Sequence, residues 1–158
     1  MAHNYLMSRK WSLTDRFAIT DEAGITQFEV QGRMSLMARL SMRDASGTQI
    51  AEIRKVPFTR RHEIVADGQH ATVTSRGFLG RQYEIDSAAG HLAARGNFSG
   101  RQYVVTRDGE PAATVAQRAG LRERFAIEVA DGESPALMLA VILVIETVRD
   151  QRRRAAAS

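Results

Sequence analysis

Side chains that commonly perform chemistry in proteins are few and scattered in this sequence. Its histidines, His3, His62, His70 and His91, lie on different segments, and none has a second histidine three to five residues away. Zinc sites typically need such short spacings. Because there is no cysteine, a thiolate nucleophile, a disulfide framework and a cysteine-based metal site are all excluded. We therefore expect no metal and no cofactor, and structural or surface roles for the histidines.

Two motifs of catalytic sites are also missing. Gly77 and Gly80 lie between two predicted strands, whereas a phosphate-binding loop joins a strand to a helix. No Gly-x-Ser-x-Gly sequence occurs, and carboxylates fall mostly at predicted turns. Glu146 is the exception, because it lies near the end of an apolar segment, where we predict pairing with an arginine at the rim rather than acid–base catalysis. The sequence thus predicts a protein that is not an enzyme.

One pattern recurs along the chain and accounts for the positions of most of its arginines and aspartates. An arginine precedes a short run of alternating apolar residues, an Asp-to-Gly turn follows, and a second short run completes the unit. Alternation with a period of two is typical of strands with one buried face, and Asp and Gly favour tight reversals. Units begin at Arg16, Arg39, Arg61, Arg81, Arg101 and Arg124, although no strand follows the last turn. With a first strand over residues 5–9, the pattern predicts about twelve strands.

The segment after the last turn is of a different kind. Ser134 is a good helix N-cap, Pro135 is a good first helical residue, and residues 136–145 are all apolar. A helix without a polar face must be surrounded by other elements. Twelve strands close a barrel too wide for its own side chains to fill, and a helix about 10 Å across would fill it. We therefore predict a mainly β protein, a closed antiparallel barrel of about twelve strands around a central hydrophobic C-terminal helix over residues 134–149.

The organisation of the chain follows from its length and its longest apolar run. We predict a single domain over residues 1–154, which includes the helix, and a disordered tail over residues 155–158. The apolar run is ten residues long, whereas a membrane-spanning helix needs about twenty. The first residues lack the basic and apolar regions of a secretory signal. These features predict a cytoplasmic protein without a transmembrane segment.

Two segments resemble the LURP-one-related family: residues 5–24 (YLMSRKWSLTDRFAITDEAG), and Arg124 to Ile127 followed by residues 136–148. That family belongs with the tubby C-terminal domains, which bind phosphoinositides, and with the phospholipid scramblases, which are linked to lipid movement between leaflets. The resemblance extends over nearly the whole chain and implies a closed twelve-stranded barrel around a C-terminal helix. The resemblance implies no site residue. The sequence lacks the proline-rich extension, the cysteine cluster and the acidic calcium-binding segment of the scramblases. It also has no tubby-like stretch onto which a phosphoinositide-binding lysine could be placed.

Acidic and basic residues are predicted to gather at opposite ends of the barrel. In an up-and-down barrel, the hairpin turns gather at one end and the links between hairpins at the other. Acidic residues fall mostly at the turns, whereas basic residues fall mostly near the links, where the helix also ends in Arg149 and Arg152 to Arg154. The candidate residues for binding an anionic ligand at this basic rim are Lys10, Arg54, Lys55, Arg60, Arg61, Arg76 and Arg122.

The basic rim allows several interpretations. Its arginines could simply protect strand ends and cover the rim with their apolar stems. Alternatively, the rim contacts anionic, phosphoinositide-like lipid head groups peripherally. A protein-interaction module without a lipid ligand, or a scramblase-like role in lipid transfer, also fits. Nucleic-acid binding is not favoured, because Tyr83 and Tyr103 occupy core positions rather than a basic face. Each alternative is a non-enzymatic binding or scaffold protein, and the oligomeric state is left open.

Overall fold

The three-dimensional structure is a computed structural model that describes residues 2–10, 15–33, 39–76, 82–117 and 124–157. Within these ranges the chain forms twelve strands and then one helix. The elements are β1 (His3–Lys10), β2 (Asp15–Thr20), β3 (Thr26–Arg33), β4 (Arg39–Asp44), β5 (Gln49–Lys55), β6 (Arg61–Ala66), β7 (Gln69–Arg76), β8 (Gln82–Ser87), β9 (Gly90–Asn97), β10 (Gln102–Arg107), β11 (Glu110–Gln117), β12 (Arg124–Val129) and α1 (Pro135–Ala157).

The strands form a closed antiparallel barrel in which neighbours in sequence are neighbours in the sheet. The barrel closes between β1 and β12, where Tyr5 lies opposite Ile127. Each of the twelve described strands therefore has two hydrogen-bonded neighbours, so none of them offers an open edge for pairing with another chain. The prediction of a mainly β, closed antiparallel barrel of about twelve strands is confirmed.

Turns between paired strands use aspartate in two ways. Asp67 and Gly68, between β6 and β7, both adopt positive φ values of 51° and 72°, as a two-residue reversal of the hairpin type requires. In the longer turn after β4, the Asp44 carboxylate accepts hydrogen bonds from the backbone N–H groups of Ser46 and Thr48, each at 3.0 Å. Hydrogen bonding, led by the Ser46 hydroxyl, lowers the pKa of Asp44. The recurring aspartates of the sequence thus hold the reversals together.

Helix α1 runs through the barrel. Ser134 caps its N-terminus, because its hydroxyl oxygen accepts a hydrogen bond from the Leu137 N–H at 3.2 Å. The same hydroxyl donates to the Asp67 carboxylate at 2.5 Å, which ties the helix start to a hairpin turn. No side chain from 136 to 145 is more than 4 % exposed. The apolar run therefore lies inside the barrel on every side, as its lack of a polar face predicts.

The helix is longer than the apolar pattern predicts. It continues to Ala157 instead of ending at residue 149, so residues 155–157 are helical where the sequence suggested a disordered tail. Alanine and arginine favour helices, and cations near a helix C-terminus interact well with its dipole. Arg149 and Arg152 also donate hydrogen bonds to barrel residues. Ser158 lies outside the described residues, and the assignment of 1–154 to a single domain remains a prediction.

Gly96 lies in β9 opposite Tyr103 and has a φ of 137°. A Cβ atom there would come within 2.6 Å of the Gln102 carbonyl oxygen and 2.7 Å of the Tyr103 Cα. Both atoms belong to the backbone of the paired strand, so neither can move without opening the ladder. We expect Gly96→Ala to lower the free energy of unfolding by about 2–4 kcal/mol, as measured by urea denaturation.

Gly109→Ala is the matched control for that substitution. Gly109 has a φ of 83°, but a Cβ atom there would meet nothing within 4 Å. This variant should lose only about 1–2 kcal/mol through backbone strain. Equal losses in the two variants would show that the close approach at Gly96 does not matter.

Candidate functional site

The two ends of the barrel differ in the connections they carry. The turn end holds the hairpin turns, such as those at 44–48 and 67–68, together with the start of α1. The link end holds the connections between hairpins, such as 56–60 and 98–101. Helix α1 leaves the barrel at the link end, where Arg149 donates to the Ser99 carbonyl oxygen at 3.3 Å and Arg152 to the Ser75 hydroxyl at 3.4 Å. The helix therefore brings its C-terminal arginines to the end that carries the predicted basic rim.

Two of the predicted anion-binding residues are engaged in ion pairs on the outer face of the sheet. Arg54 lies directly opposite Glu63, with its Nη2 2.6 Å from Oε2. The Nε of Arg76 lies 2.5 Å from Oε2 of Glu84 on the neighbouring strand. The predicted separation of charge between the ends is thus incomplete, because the strand register brings carboxylates beside these arginines. Both remain largely exposed, but each is partly neutralised.

Lys55, Arg60 and Arg61 surround the link between β5 and β6. Lys55 donates from Nζ to the Thr59 carbonyl oxygen at 2.9 Å. The Thr59 hydroxyl donates to the Val56 carbonyl oxygen at 2.8 Å and accepts from the Arg61 N–H at 3.2 Å. These bonds connect the two ends of the link. Arg60 and Arg61 are exposed, and within the described parts of the chain neither guanidinium has an ion-pair partner.

Phe58 lies at the tip of this link and is fully exposed, at 106 %. Its φ is 60°, which is unusual and costly for a residue other than glycine. A single exposed apolar side chain is common on protein surfaces, but Phe58 combines full exposure with a costly backbone conformation and two neighbouring arginines. The sequence places Phe58 in a connection, but only the folded link shows its exposure beside Arg60 and Arg61.

The other predicted site residues fall partly or wholly outside the described structure. Lys10 is the last residue of β1, opposite Arg16 of β2, which places its backbone at the link end. Its side chain is outside the described part of the chain, and so is all of Arg122. Both remain predictions.

A groove of about 910 Å³ crosses the outer face of β6, β7 and β8 below the Phe58 link. Arg60 and Arg61 line it at the link end, and Thr72 and Thr74 of β7 line its floor. Asp86 lies at its far end, where its carboxylate oxygen is 2.7 Å from Nδ1 of His91. The groove therefore has cations at one end, hydroxyl groups in the middle and a paired carboxylate at the other. We call it the β6–β8 groove.

A buried polar cluster lies inside the link end. Glu146 on α1 is 2 % exposed, and it accepts hydrogen bonds from Arg101 Nε at 2.7 Å and from the Tyr103 hydroxyl at 3.2 Å. The Arg101 guanidinium carbon lies 4.6 Å from the centre of the Phe125 ring, an arrangement that favours the cation. The predicted pairing of Glu146 with an arginine is confirmed, although the pair is buried rather than at the surface. Burial raises the pKa of Glu146 despite the neighbouring Arg101.

His62 is the one histidine in the described core. It is 4 % exposed on the inner face of β6, and its Nε2 has no hydrogen-bond partner among the described residues. Burial, assisted by Lys55, lowers the pKa of His62 to about 4, so it is neutral near pH 7. No three His, Asp or Glu side chains in the described ranges gather closely enough to hold a metal ion. Nothing helical in those ranges combines the length and apolar character needed to cross a bilayer.

The closed barrel with an apolar helix through its lumen matches the architecture that the sequence resemblance implies. The family model for LURP-one-related proteins matches residues 3–146, and the chain belongs to that family. Among solved structures, an X-ray structure of a protein from Arabidopsis thaliana is similar, with a TM-score of 0.65 over 93 % of this chain and 91 % of that one. Identity between the two is 17 %, so the likeness shows a shared fold alone. No curated protein matches the sequence.

Proposed function

We propose that this protein is a non-enzymatic binding protein that attaches peripherally to anionic membrane surfaces through its link end. The observation that carries the proposal is Phe58, a fully exposed aromatic side chain at the tip of a hydrogen-bonded link. Arg60 and Arg61 lie beside it and have no ion-pair partner within the described residues. Peripheral membrane binding strengthens with buried apolar area and with electrostatic attraction to anionic lipids, and this link offers both.

The two kinds of side chain supply separate parts of the binding free energy. Burial of Phe58 among lipid chains would contribute about 1.5–3 kcal/mol. Each cation close to a surface of acidic lipids contributes about 1 kcal/mol. Arg60, Arg61 and the exposed Arg153 of the emerging helix are the main candidates. Arg54 contributes less, because Glu63 already neutralises part of its charge.

The exposed carboxylates at the turn end of the barrel favour one orientation of the protein on the membrane. Glu22, Asp108 and Glu110 are exposed at the turn end. An acidic membrane repels these carboxylates while it attracts the link end, so the barrel axis should stand at a steep angle to the surface. In this orientation the C-terminal part of α1 faces the lipid head groups.

Vesicle sedimentation tests the proposal directly. We expect the wild-type protein to bind vesicles that contain acidic lipids at low salt, and to be released as salt rises, because exposed charges are screened over about 8–10 Å near physiological ionic strength. The double variant Phe58→Ser/Arg60→Ser should bind at least about tenfold more weakly, since it loses one apolar anchor and one cation. Its melting temperature should change little, because both side chains are exposed.

The matched control changes the same kinds of residue at the turn end. Ile25 is 61 % exposed there, and Arg43 is also exposed. Ile25→Ser/Arg43→Ser removes one apolar side chain and one positive charge, as the link-end variant does, and it should bind vesicles like the wild type. Failure of the wild-type protein to bind acidic vesicles at low salt would refute the proposal. Equal losses in both variants would show that attachment depends on net charge and not on the link end.

A further inference from the structure

We infer that the β6–β8 groove is a binding site for a phosphate monoester, either the head group of a lipid or a small free molecule. The lipid alternative rests on the proposed attachment of the link end to membranes, and it adds the chemical class of the head group. The free-ligand alternative does not depend on that attachment. Both have the same ligand chemistry.

The strand register brings the unpaired cations together with a hydroxyl group. Thr72, Thr74 and Arg76 alternate along the outer face of β7, and Arg61 of β6 lies directly opposite Thr74. Arg60 in the adjoining link lines the same end of the groove. The Thr74 hydroxyl has no hydrogen-bond partner within the described ranges. Two guanidinium groups and a free hydroxyl thus line one recess.

Asp86 in the groove and Glu84 beside it each have a partner outside the Arg60 and Arg61 pair. Glu84 is paired with Arg76 at 2.5 Å, and Asp86 lies 2.7 Å from a ring nitrogen of His91. The cations of the groove without an ion-pair partner among the described residues are therefore Arg60 and Arg61, while the Asp86 carboxylate lies at the other end. An anion would bind at the two arginines, with the rest of a free ester extending towards Asp86 and the rest of a lipid leaving the groove at the link end, towards the membrane.

A phosphate monoester matches these donors better than other common anions do. It carries about −1.5 to −2 charges near pH 7 and presents three acceptor oxygens. Guanidinium forks bind such oxygens in pairs, and the Thr74 hydroxyl can donate to another. A phosphodiester offers one charge and fewer free oxygens, so it would leave part of the site unused. The groove volume of about 910 Å³ leaves room for the remainder of the ester.

Calorimetry with soluble probes tests the groove without a membrane. We expect glycerol 1-phosphate to bind the wild-type protein at least tenfold more tightly than dimethyl phosphate, a diester. Thr74→Val keeps the charge and size of the site and should reduce that preference severalfold. Arg60→Ser/Arg61→Ser should abolish binding, whereas Phe58→Ser should leave it unchanged. Binding should also strengthen from pH 5 to pH 7, because the second pKa of the phosphate is about 6.

Vesicles of equal zeta potential distinguish the two sources of the ester. One set carries phosphatidic acid, a monoester, and the other carries phosphatidylglycerol, a diester. Preference for phosphatidic acid that is lost in Thr74→Val indicates a lipid head group. If the protein binds glycerol 1-phosphate tightly and binds both kinds of vesicle equally, the ligand is a free ester. If it binds glycerol 1-phosphate tightly and binds no vesicles, the proposed membrane attachment is wrong but the ester site stands. If the protein binds both kinds of vesicle equally and does not bind glycerol 1-phosphate, the inference is wrong and the attachment stands.

Discussion

Replacement of Ile142 by aspartate should prevent the protein from folding. Ile142 is completely inaccessible in the part of α1 that the barrel surrounds. An unpaired carboxylate in that lumen costs several kcal/mol, whether it stays ionised or takes up a proton. Since small proteins have a total stability of about 5–15 kcal/mol, this one change removes much or all of it. Circular dichroism and size-exclusion chromatography of the purified variant measure the outcome.

Ile142→Val is the control for that experiment. It removes one methylene group without adding a polar atom, so we expect a loss of about 0.5–1.5 kcal/mol and a native spectrum. The contrast arises because the helix is enclosed by strands on all sides and a polar residue cannot turn towards water. A monomeric Ile142→Asp protein with native circular dichroism would show that the helix does not fill the barrel.

The second large effect should come from the buried pair between Glu146 and Arg101. We expect Glu146→Ala to lower the free energy of unfolding by about 3–5 kcal/mol, because it leaves the Arg101 guanidinium largely buried without its carboxylate. The Tyr103 hydroxyl loses its acceptor as well. Thermal and urea denaturation of the variant give the measurement.

Replacement of both partners should be less harmful than replacement of one. Arg101→Leu/Glu146→Leu removes both charges together, so neither remains uncompensated, and apolar pairs often replace buried ion pairs with little loss. We expect the double variant to be more stable than Glu146→Ala. If the double variant lost as much stability as Arg101→Leu and Glu146→Leu lose together, the two residues would not interact.

The pH dependence of stability provides an independent measure of Glu146. Burial raises the pKa of Glu146 in the folded protein, so the folded state binds more protons than the unfolded state between the ordinary and the raised value. The contribution of this residue to stability therefore falls as pH rises through that interval. Glu146→Gln lacks this ionisable group. The stability of the wild type relative to Glu146→Gln should therefore fall as pH rises through that interval. A constant difference would contradict the raised pKa.

The strands, the turns and the central helix of this protein could be predicted from local patterns in the chain. Alternating apolar residues identify strands because side chains on a strand point to opposite faces, and Asp-Gly pairs identify reversals because they favour the required backbone conformations. The uninterrupted apolar run from 136 to 145 required a surrounding sheet. These signals are local, and closure of the barrel follows from their number and order. The predicted helix end at residue 149 was wrong, because residues 150–154 are all polar and do not continue the apolar pattern although they are helical.

Which arginines have an ion-pair partner could not be read from the chain and follows from the three-dimensional fold. Arg54 and Arg60 look alike in the sequence, yet the register places Glu63 beside Arg54, whereas Arg60 lies in a link and lines a groove. The full exposure of Phe58 and its unusual backbone angle are both properties of the folded link. Glu146 meets Arg101 only because the helix passes through the barrel, which brings together residues 45 positions apart. Such contacts depend on register, loop conformation and long-range packing, none of which leaves a local pattern in the chain.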